Sequence, residues 1–462
     1  MKPLDDNLLN EHANSLADFA ANLRIDSIPE NVIRRAEDLF VDWVGSTVAG
    51  FGFGPVQTIR DFAQQMGPSD GLCELLGDSR QTSALFSSLV NAASSHAVEQ
   101  DDVHNGSVFH PATVVFPATL AVAQQLRLSG RDFLVASIVG YEVGIRVGEF
   151  LGRSHYKVFH TTGTAGTIAS AAGVGRLLSL GSSQMTHAFG TAGTQAAGLW
   201  AFLKDAADSK QVHTAHASMA GLMSAFFARG GLTGARNIFY GSQGMASGMS
   251  TDSSPEKLSD GLNKRWTVLE TSFKFHACCR HCHPAIDALL AILRQHSIHP
   301  DEISSVTAHV HQGAIDVLGN VVEPMTVHQA KFSMGTSLGL AAFYGVAGLI
   351  EFEKFYREEK VIEFCKKVSM QFDPEIDEAY PKRWIGKITV TLRNGNKLNG
   401  RVDQPKGDPD NTLTRDEIND KFVRLTDFSN RIERSTAAAV LDELWRIRSK
   451  NEVGRIIPES IY

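Results

Sequence analysis

Cysteine is scarce in this chain, five in 462 residues, and three of the five sit together in Cys278-Cys-Arg-His-Cys282. A secreted disulfide framework draws on an even, dispersed set, so that class is excluded. Long apolar runs are missing too, and no stretch reaches the ~20 apolar residues that a membrane-spanning helix needs. The amino terminus, Met1-Lys-Pro-Leu-Asp-Asp, lacks the charged and apolar regions of a leader peptide, which predicts a cytoplasmic protein with no membrane partner. Basic residues are in deficit, because 44 Lys and Arg against 51 Asp and Glu leave a net charge of -7. Nucleic acid is therefore not an expected partner.

Several familiar site types are absent as well. No Gly-x-Gly-x-x-Gly follows a strand and no Gly-Lys-Ser/Thr loop occurs, since Gly173-Val-Gly175 lies inside a helical run. There is no Gly-x-Ser-x-Gly elbow for a serine nucleophile. Cys279-x-x-Cys282 supplies half of a zinc pattern, but Cys73 and Cys365 stand alone, so no metal is expected. A thiol redox pair built on Cys279 and Cys282 is the alternative reading of that motif.

What is present divides the chain into two parts. A length of 462 residues exceeds what one core organises, and ~100–200 residues per domain favours two domains. From about Ser27 to Arg236 the segments are helical and rich in small residues, notably over Thr164 to Leu178 and Thr191 to Leu203. Beyond Trp266 the texture is mixed. Pro284 to His296 predicts a helix, Val306, Ala308 and Val310 alternate with polar residues as in a half-buried strand, and Asn394-Gly395 marks a hairpin after Lys387 to Leu392. The Pro-, Gly- and Asp-rich run Asp403 to Thr414 precedes two further helices, Arg415 to Leu425 and Ser435 to Arg448. The predicted fold is mainly α, with a large all-helical domain over 1–265 and 405–462 and a smaller α+β lid over 266–404.

Chemistry gathers in the loops. His96-Ala-Val-Glu-Gln-Asp-Asp-Val-His-Asn-Gly-Ser-Val-Phe-His110 packs carboxylates and imidazoles between a helix predicted over Leu85 to Ala97 and another over Pro111 to Gln125. Loops held by rigid helices carry catalytic groups, although a solvated acidic turn is the plainer alternative. His155 and His160 flank a helix entrance where Thr161-Thr-Gly-Thr can cap the next helix and leave N–H groups for an anion. Lys210, with His213 and His216, precedes an apolar helix over Ala217 to Ala228, in position to neutralise a carboxylate. Lys274-Phe-His-Ala-Cys-Cys-Arg-His-Cys-His-Pro284 collects cations at the mouth of a helix, which suits a polyanionic ligand.

Together with Leu39-Phe-Val-Asp-Trp-Val-Gly-Ser-Thr-Val-Ala-Gly, Glu99-Gln-Asp-Asp, Phe109-His-Pro, Phe159-His-Thr-Thr-Gly-Thr-Ala-Gly, Lys210-x-x-His, Gly230-Gly-Leu-Thr-Gly, Cys278-Cys-Arg-His-x-His-Pro-Ala-Ile-Asp-Ala and Pro405-Lys-Gly-Asp-Pro, these segments resemble the MmgE/PrpD family over nearly the whole chain. Known members include 2-methylcitrate dehydratase, cis-aconitate decarboxylase and iminodisuccinate epimerase. The resemblance implies a helical domain with a lid, commonly a homodimer, and no metal cluster or other cofactor. It implies a catalytic set of His160, His110, Asp102 and Lys210, with Glu99, Asp101, His104, Lys274, Arg280, His281 and Thr336 binding substrate. The chain departs from the tricarboxylate-processing members at Glu99, where aspartate is usual, in an acidic loop one residue longer, at Thr336, which replaces a tyrosine, and in the Cys-Cys-Arg-His motif. Such changes predict an altered choice of substrate.

The resemblance implies carbanion-like chemistry beside a carboxylate. Lys210, Lys274 and Arg280 would stabilise the dianion, His160 and His110 would carry the proton, and Asp102 would orient an imidazole. A dehydratase acting on a small di- or tricarboxylate is the leading expectation, followed by a decarboxylase and an epimerase. Outside that class stands a carboxylate-binding protein on the same fold.

Overall fold

Small residues decide how the amino-terminal helices meet. The Thr161–Leu177 helix runs between Gly130–Tyr156 and Lys210–Arg229, and both neighbours approach it through glycine. A Cβ at Gly221 would stand 2.4 Å from the Thr167 carbonyl oxygen, and one at Gly144 would stand 2.5 Å from the Ala169 Cβ. Backbones therefore touch where larger side chains would hold them apart. Ala84–Ala97, Ala112–Gln125 and Glu30–Gly50 complete the bundle around an aromatic cluster of Phe40, Trp43, Phe116, Phe133 and Tyr141. The computed structural model describes residues 6–205, 207–319 and 321–461. Residues 1–5, which carry most of the leader-peptide argument, lie outside the described residues.

The chain leaves this bundle and comes back to it. Arg415–Ser429 packs along Glu30–Gly50, and Phe422, Val440 and Ile447 join the same buried core as Phe40 and Val44. A second core lies in between, built on a four-stranded sheet in the order Val368–Phe372, Ile303–Val310, Gly386–Leu392, Lys397–Val402. Only the first of these pairs is parallel. The predicted hairpin closes with Gly395 at φ +85°, a conformation glycine adopts without the Cβ clash. Helices His283–His296 and Met334–Tyr344 share that core through Ile286, Leu289 and Leu338. The protein is thus mainly helical with a smaller α+β part. Among the described residues, no single helix is long and apolar enough to cross a membrane.

Three local expectations differ from the structure. The bundle is not purely helical, because Cys73–Glu74 pairs with Gln81–Thr82 and Val103–His104 pairs with Thr271–Ser272. The small-residue run from Thr191 to Leu203 is not one helix, since Ser182–Gly193 ends and the chain turns until Phe202–Asp205. There the Gly198 carbonyl accepts from the His160 N–H at 2.9 Å, so the segment serves as a strap beside the site. Lys210 does not precede its helix but opens it.

The close approach at Gly221 gives a direct test. Gly221→Ala forces a methyl into the Thr167 backbone, and a loss of about 1–3 kcal/mol is expected from overpacking, read as a lowered midpoint in chemical denaturation.

Candidate active site

The acidic loop is anchored at both ends and in the middle. His96 lies in the last turn of Ala84–Ala97, so its ring is set by the helix rather than by the loop. Lys421, from the returning carboxy-terminal helix, pairs with Asp42 at 2.6 Å and donates to the Gln100 carbonyl at 2.7 Å. The short ladder from Val103–His104 to Thr271–Ser272 leads the chain directly to Lys274. Within this frame Glu99 and Val108 hold φ of 58° and 48°. Left-handed backbone is costly for a β-branched valine and persists where surrounding contacts overdetermine it.

Glu99 is the electrostatic centre. Its Oε1 contacts Lys210 Nζ, and its Oε2 accepts from Lys274 Nζ at 2.9 Å, all three groups being buried. Burial raises the Glu99 carboxyl, but Lys210 and Lys274 outweigh it and hold the group well below the usual range. Arg280 is paired with Asp408, which also accepts from Ser272 Oγ at 2.6 Å and Asn105 Nδ2 at 2.8 Å.

Beside this pair lies a cluster of imidazoles. Asp101 Oδ2 is 2.9 Å from His96 Nδ1 and 2.8 Å from His110 Nδ1. His110 Nδ1 also lies 2.6 Å from the Asp102 carbonyl oxygen, which can only accept, so this nitrogen carries the proton. Burial opposes charge on Asp101, yet the two imidazoles beside it hold its carboxyl well below the usual range. His96 stacks on His160 with centroids 5.4 Å apart. Burial, then the Lys210 charge, lowers His96 to about 4, while burial and the neighbouring His96 and Lys210 hold His160 well below the ordinary imidazole range. Both rings are neutral at pH 7.

These groups line a small pocket with about 20 Å³ of free space. The bundle contributes Glu99, Val103, Val108, His110, Tyr156, His160, Trp200 and Lys210, and the lid contributes Cys279, Arg280, His281, Phe332 and Trp384. His160 Nε2, His281 Nε2 and Arg280 Nε are buried without a hydrogen-bond partner among the described residues. Unsatisfied polar atoms on residues that line one pocket are suited to a ligand rich in acceptors.

The MmgE/PrpD N-terminal domain profile matches residues 14–258 and the C-terminal domain profile matches residues 276–447. The chain belongs to the MmgE/PrpD family. It is 28% identical over 443 residues to the cis-aconitate decarboxylase-like protein oryM of Aspergillus oryzae, covering 89% of each chain. It is 25% identical to the cis-aconitate decarboxylase of Aspergillus terreus, over 84% of each chain. The human cis-aconitate decarboxylase is 24% identical, over 90% of this chain and 88% of the relative.

In this MmgE/PrpD chain the structure brings most of the sequence-derived residues together: Glu99, His110, His160, Lys210, Arg280 and His281 line the cavity, with Asp101 and Lys274 directly behind. Three others lie elsewhere. Asp102 orients no imidazole through its carboxylate, which accepts from Tyr141 Oη at 2.7 Å and from the Ala112 N–H at 3.0 Å, and burial pushes it well above the usual range. Asp101, one residue earlier, is the carboxylate that contacts the imidazoles. His104 turns away to Ser107 Oγ at 2.8 Å and Glu270 at 3.5 Å. Thr336 bonds Ser333 Oγ at 3.1 Å in the first turn of its own helix and does not line the cavity. The threonines after His160 do not cap their helix through its N-cap side chain; instead Thr162 Oγ1 accepts from the His110 N–H at 3.2 Å.

Sequence reasoning missed the aromatic walls Tyr156, Trp200, Phe332 and Trp384, which read as ordinary core residues. It also gave no role to Asp408, although the Pro405-Lys-Gly-Asp-Pro motif contains it. The thiol redox reading weakens, since burial pushes the Cys279 thiol up to about 12 and thiol exchange needs the thiolate. Two groups bring potential metal ligands close, His96–Asp101–His110 and His104–Glu149–Glu270. In the first, His110 Nδ1 is occupied by its proton, as shown above. In the second, Arg265 already bonds both Glu149 and Glu270 at 2.6 Å. Neither fits a cation as it stands.

The division between the two aspartates is testable. Asp101→Asn should lower turnover about 10²- to 10⁴-fold, the span typical of acid–base groups. Asp102→Asn, replacing a carboxyl that burial already drives toward neutrality, should leave turnover within about tenfold and change stability by no more than ~2 kcal/mol. Equal losses of turnover in the two variants would overturn the assignment.

Proposed function

We propose that this protein is a lyase for a small polycarboxylate, and that decarboxylation of an unsaturated tricarboxylate of the cis-aconitate class is its leading activity. The observation that carries the reading is the pocket itself, in which Lys210 and Arg280 meet two imidazoles, His110 and His160. Lysine and arginine neutralise the substrate carboxylates. Loss of carbon dioxide leaves an electron pair delocalised into a neighbouring group, where fixed cations in a water-poor space stabilise it. A neutral imidazole retains one N–H to deliver to carbon.

The three relatives, cis-aconitate decarboxylases or a protein like them by name, favour decarboxylation over the dehydration expected from the sequence. Both reactions pass through the same kind of carbanion, so the cavity serves either. Glu99 sets the selectivity in this reading: an incoming carboxylate competes with it for Lys210 and Lys274. The residues proposed to act are His160, His110 and Lys210 in the proton and charge work, with Arg280, His281, Lys274 and Glu99 at the substrate. No metal is proposed to take part.

Incubation with a panel of di- and tricarboxylates in deuterium oxide, after dialysis against a strong chelator, separates the possibilities. A decarboxylase releases carbon dioxide and installs one solvent deuteron. A dehydratase gives a conjugated alkene with reversible uptake, and an epimerase exchanges without an alkene. Metal-reversible loss of activity would count against the metal-free reading, and absence of exchange and product across the panel would favour a carboxylate-binding protein.

A cytoplasmic homodimer is the state we propose for it. Light scattering at micromolar concentration should give about twice the 50.2 kDa chain mass, and a value near 50.2 kDa would remove the dimer.

A further inference from the structure

Decarboxylation consumes one proton per turnover, and the groups lining the pocket that would use it are mostly buried. A second histidine lies against His160. His160 Nδ1 lies 3.3 Å from Nδ1 of His213, while His160 lines the pocket and its other ring nitrogen, Nε2, is buried with no partner among the described residues. His213 is half-buried in the first turn of Lys210–Arg229, and its own Nε2 makes no hydrogen bond to a described residue. One ring therefore lines the pocket, and the next, half-buried, lies against it.

Two glycines give the His213 ring its place. A Cβ at Gly198 would stand 3.3 Å from His213 Cγ and Nδ1, and one at Gly163 would stand 3.4 Å from His213 Cβ. Gly198 has φ +133°, and its carbonyl accepts from the His160 N–H, so the same strap holds both histidines. The Phe202 ring packs edge-on against His213 with ring centroids 5.5 Å apart. The remaining charged or titratable neighbours are Lys210 and His216 on the same helix and His96 and His110 beyond His160. No carboxylate touches either ring, so the Nδ1–Nδ1 contact is the only hydrogen bond between their side chains and another described side chain.

We propose that His213 is a relay residue that carries protons between solvent and His160. A bond between two Nδ1 atoms needs one donor and one acceptor, so the two neutral rings hold opposite tautomers. In the donating direction His160 Nε2–H gives its proton to the substrate carbon, His160 Nδ1 takes the proton from His213 Nδ1–H, and His213 Nε2 takes one from a buffer acid at the surface. Three bonds to hydrogen break and three form, and neither ring is left charged. After product release each ring regains its starting tautomer by its own exchange with water, gaining a proton at one nitrogen and losing one at the other, so the reset moves no net proton and leaves no hydroxide. The inference rests on the lyase reading for its kinetic consequence and on geometry alone for the paired tautomers.

The test has a kinetic arm and a substrate-free arm. With cis-aconitate, or whichever member of the panel the parent turns over, His213→Gln should lower kcat about 10- to 100-fold with KM little changed, the scale of a lost proton-transfer partner. His213→Ala should fall similarly and recover with added imidazole, which a purely structural role would not produce. Parent-level kcat in His213→Gln, or a loss in His213→Ala that imidazole leaves untouched, overturns the relay. In the substrate-free arm, ring nitrogen NMR of 15N-histidine protein should show opposite tautomers at His160 and His213, with faster solvent exchange of the His160 ring N–H in the parent than in His213→Gln. Identical tautomers or equal exchange overturn the proposal even if no panel compound is turned over, an outcome that would by itself sink only the lyase reading.

Discussion

One carboxylate, that of Glu99, ties the molecule together. It sits between Lys210 from the bundle and Lys274 at the entrance to the α+β part, all three being buried. A lone buried charge costs several kcal/mol, and each lysine would carry that cost without Glu99. The three groups must therefore arrive together, which fixes the acidic loop, the first turn of Lys210–Arg229 and the segment leading to Arg280 relative to one another. The left-handed backbone at Glu99 is tolerated inside that arrangement.

The surrounding structure keeps the loop where this pairing needs it. Lys421 reaches from a helix more than three hundred residues away in sequence to the Gln100 carbonyl, and Asp42 balances its charge. Asp408 does the same for Arg280 while gripping Ser272 and Asn105. Each cation near the cavity is thus matched by a carboxylate from a remote part of the chain, apart from Lys331. That lysine is buried over the Phe53 ring, and burial lowers it to about 8. His96 and His160, in contrast, are held in the neutral form by burial and by the Lys210 charge, so these two rings do not add to the positive charge.

Much of this was legible in the chain. The glycine and alanine spacing of Thr161–Leu177 predicts close helix contact, and the Asn394-Gly395 turn predicts the hairpin, because each is a local consequence of side-chain size or backbone freedom. The motif residues Glu99, His110, His160, Lys210 and Arg280 were found by type and pattern, and they line one cavity. The run Thr191 to Leu203 misled for the same reason that the bundle was readable: small residues permit a helix, and only the tertiary strap at Gly198 decides that it is not one there.

Composition and local pattern by themselves determined the helical class, the mixed second part and the list of groups able to bind carboxylates and move protons. Tertiary structure decided which of those groups face the cavity. Whether Asp101 or Asp102 meets the histidines depends on a turn whose direction is set by Lys421, Tyr141 and the Val103–His104 ladder, none of them adjacent in sequence. The same holds for His104, turned outward to Ser107 and Glu270, and for His213, brought against His160 by Gly163 and Gly198. Side-chain direction in a loop is the sum of such distant contacts, and it is not written in the residues that bear it.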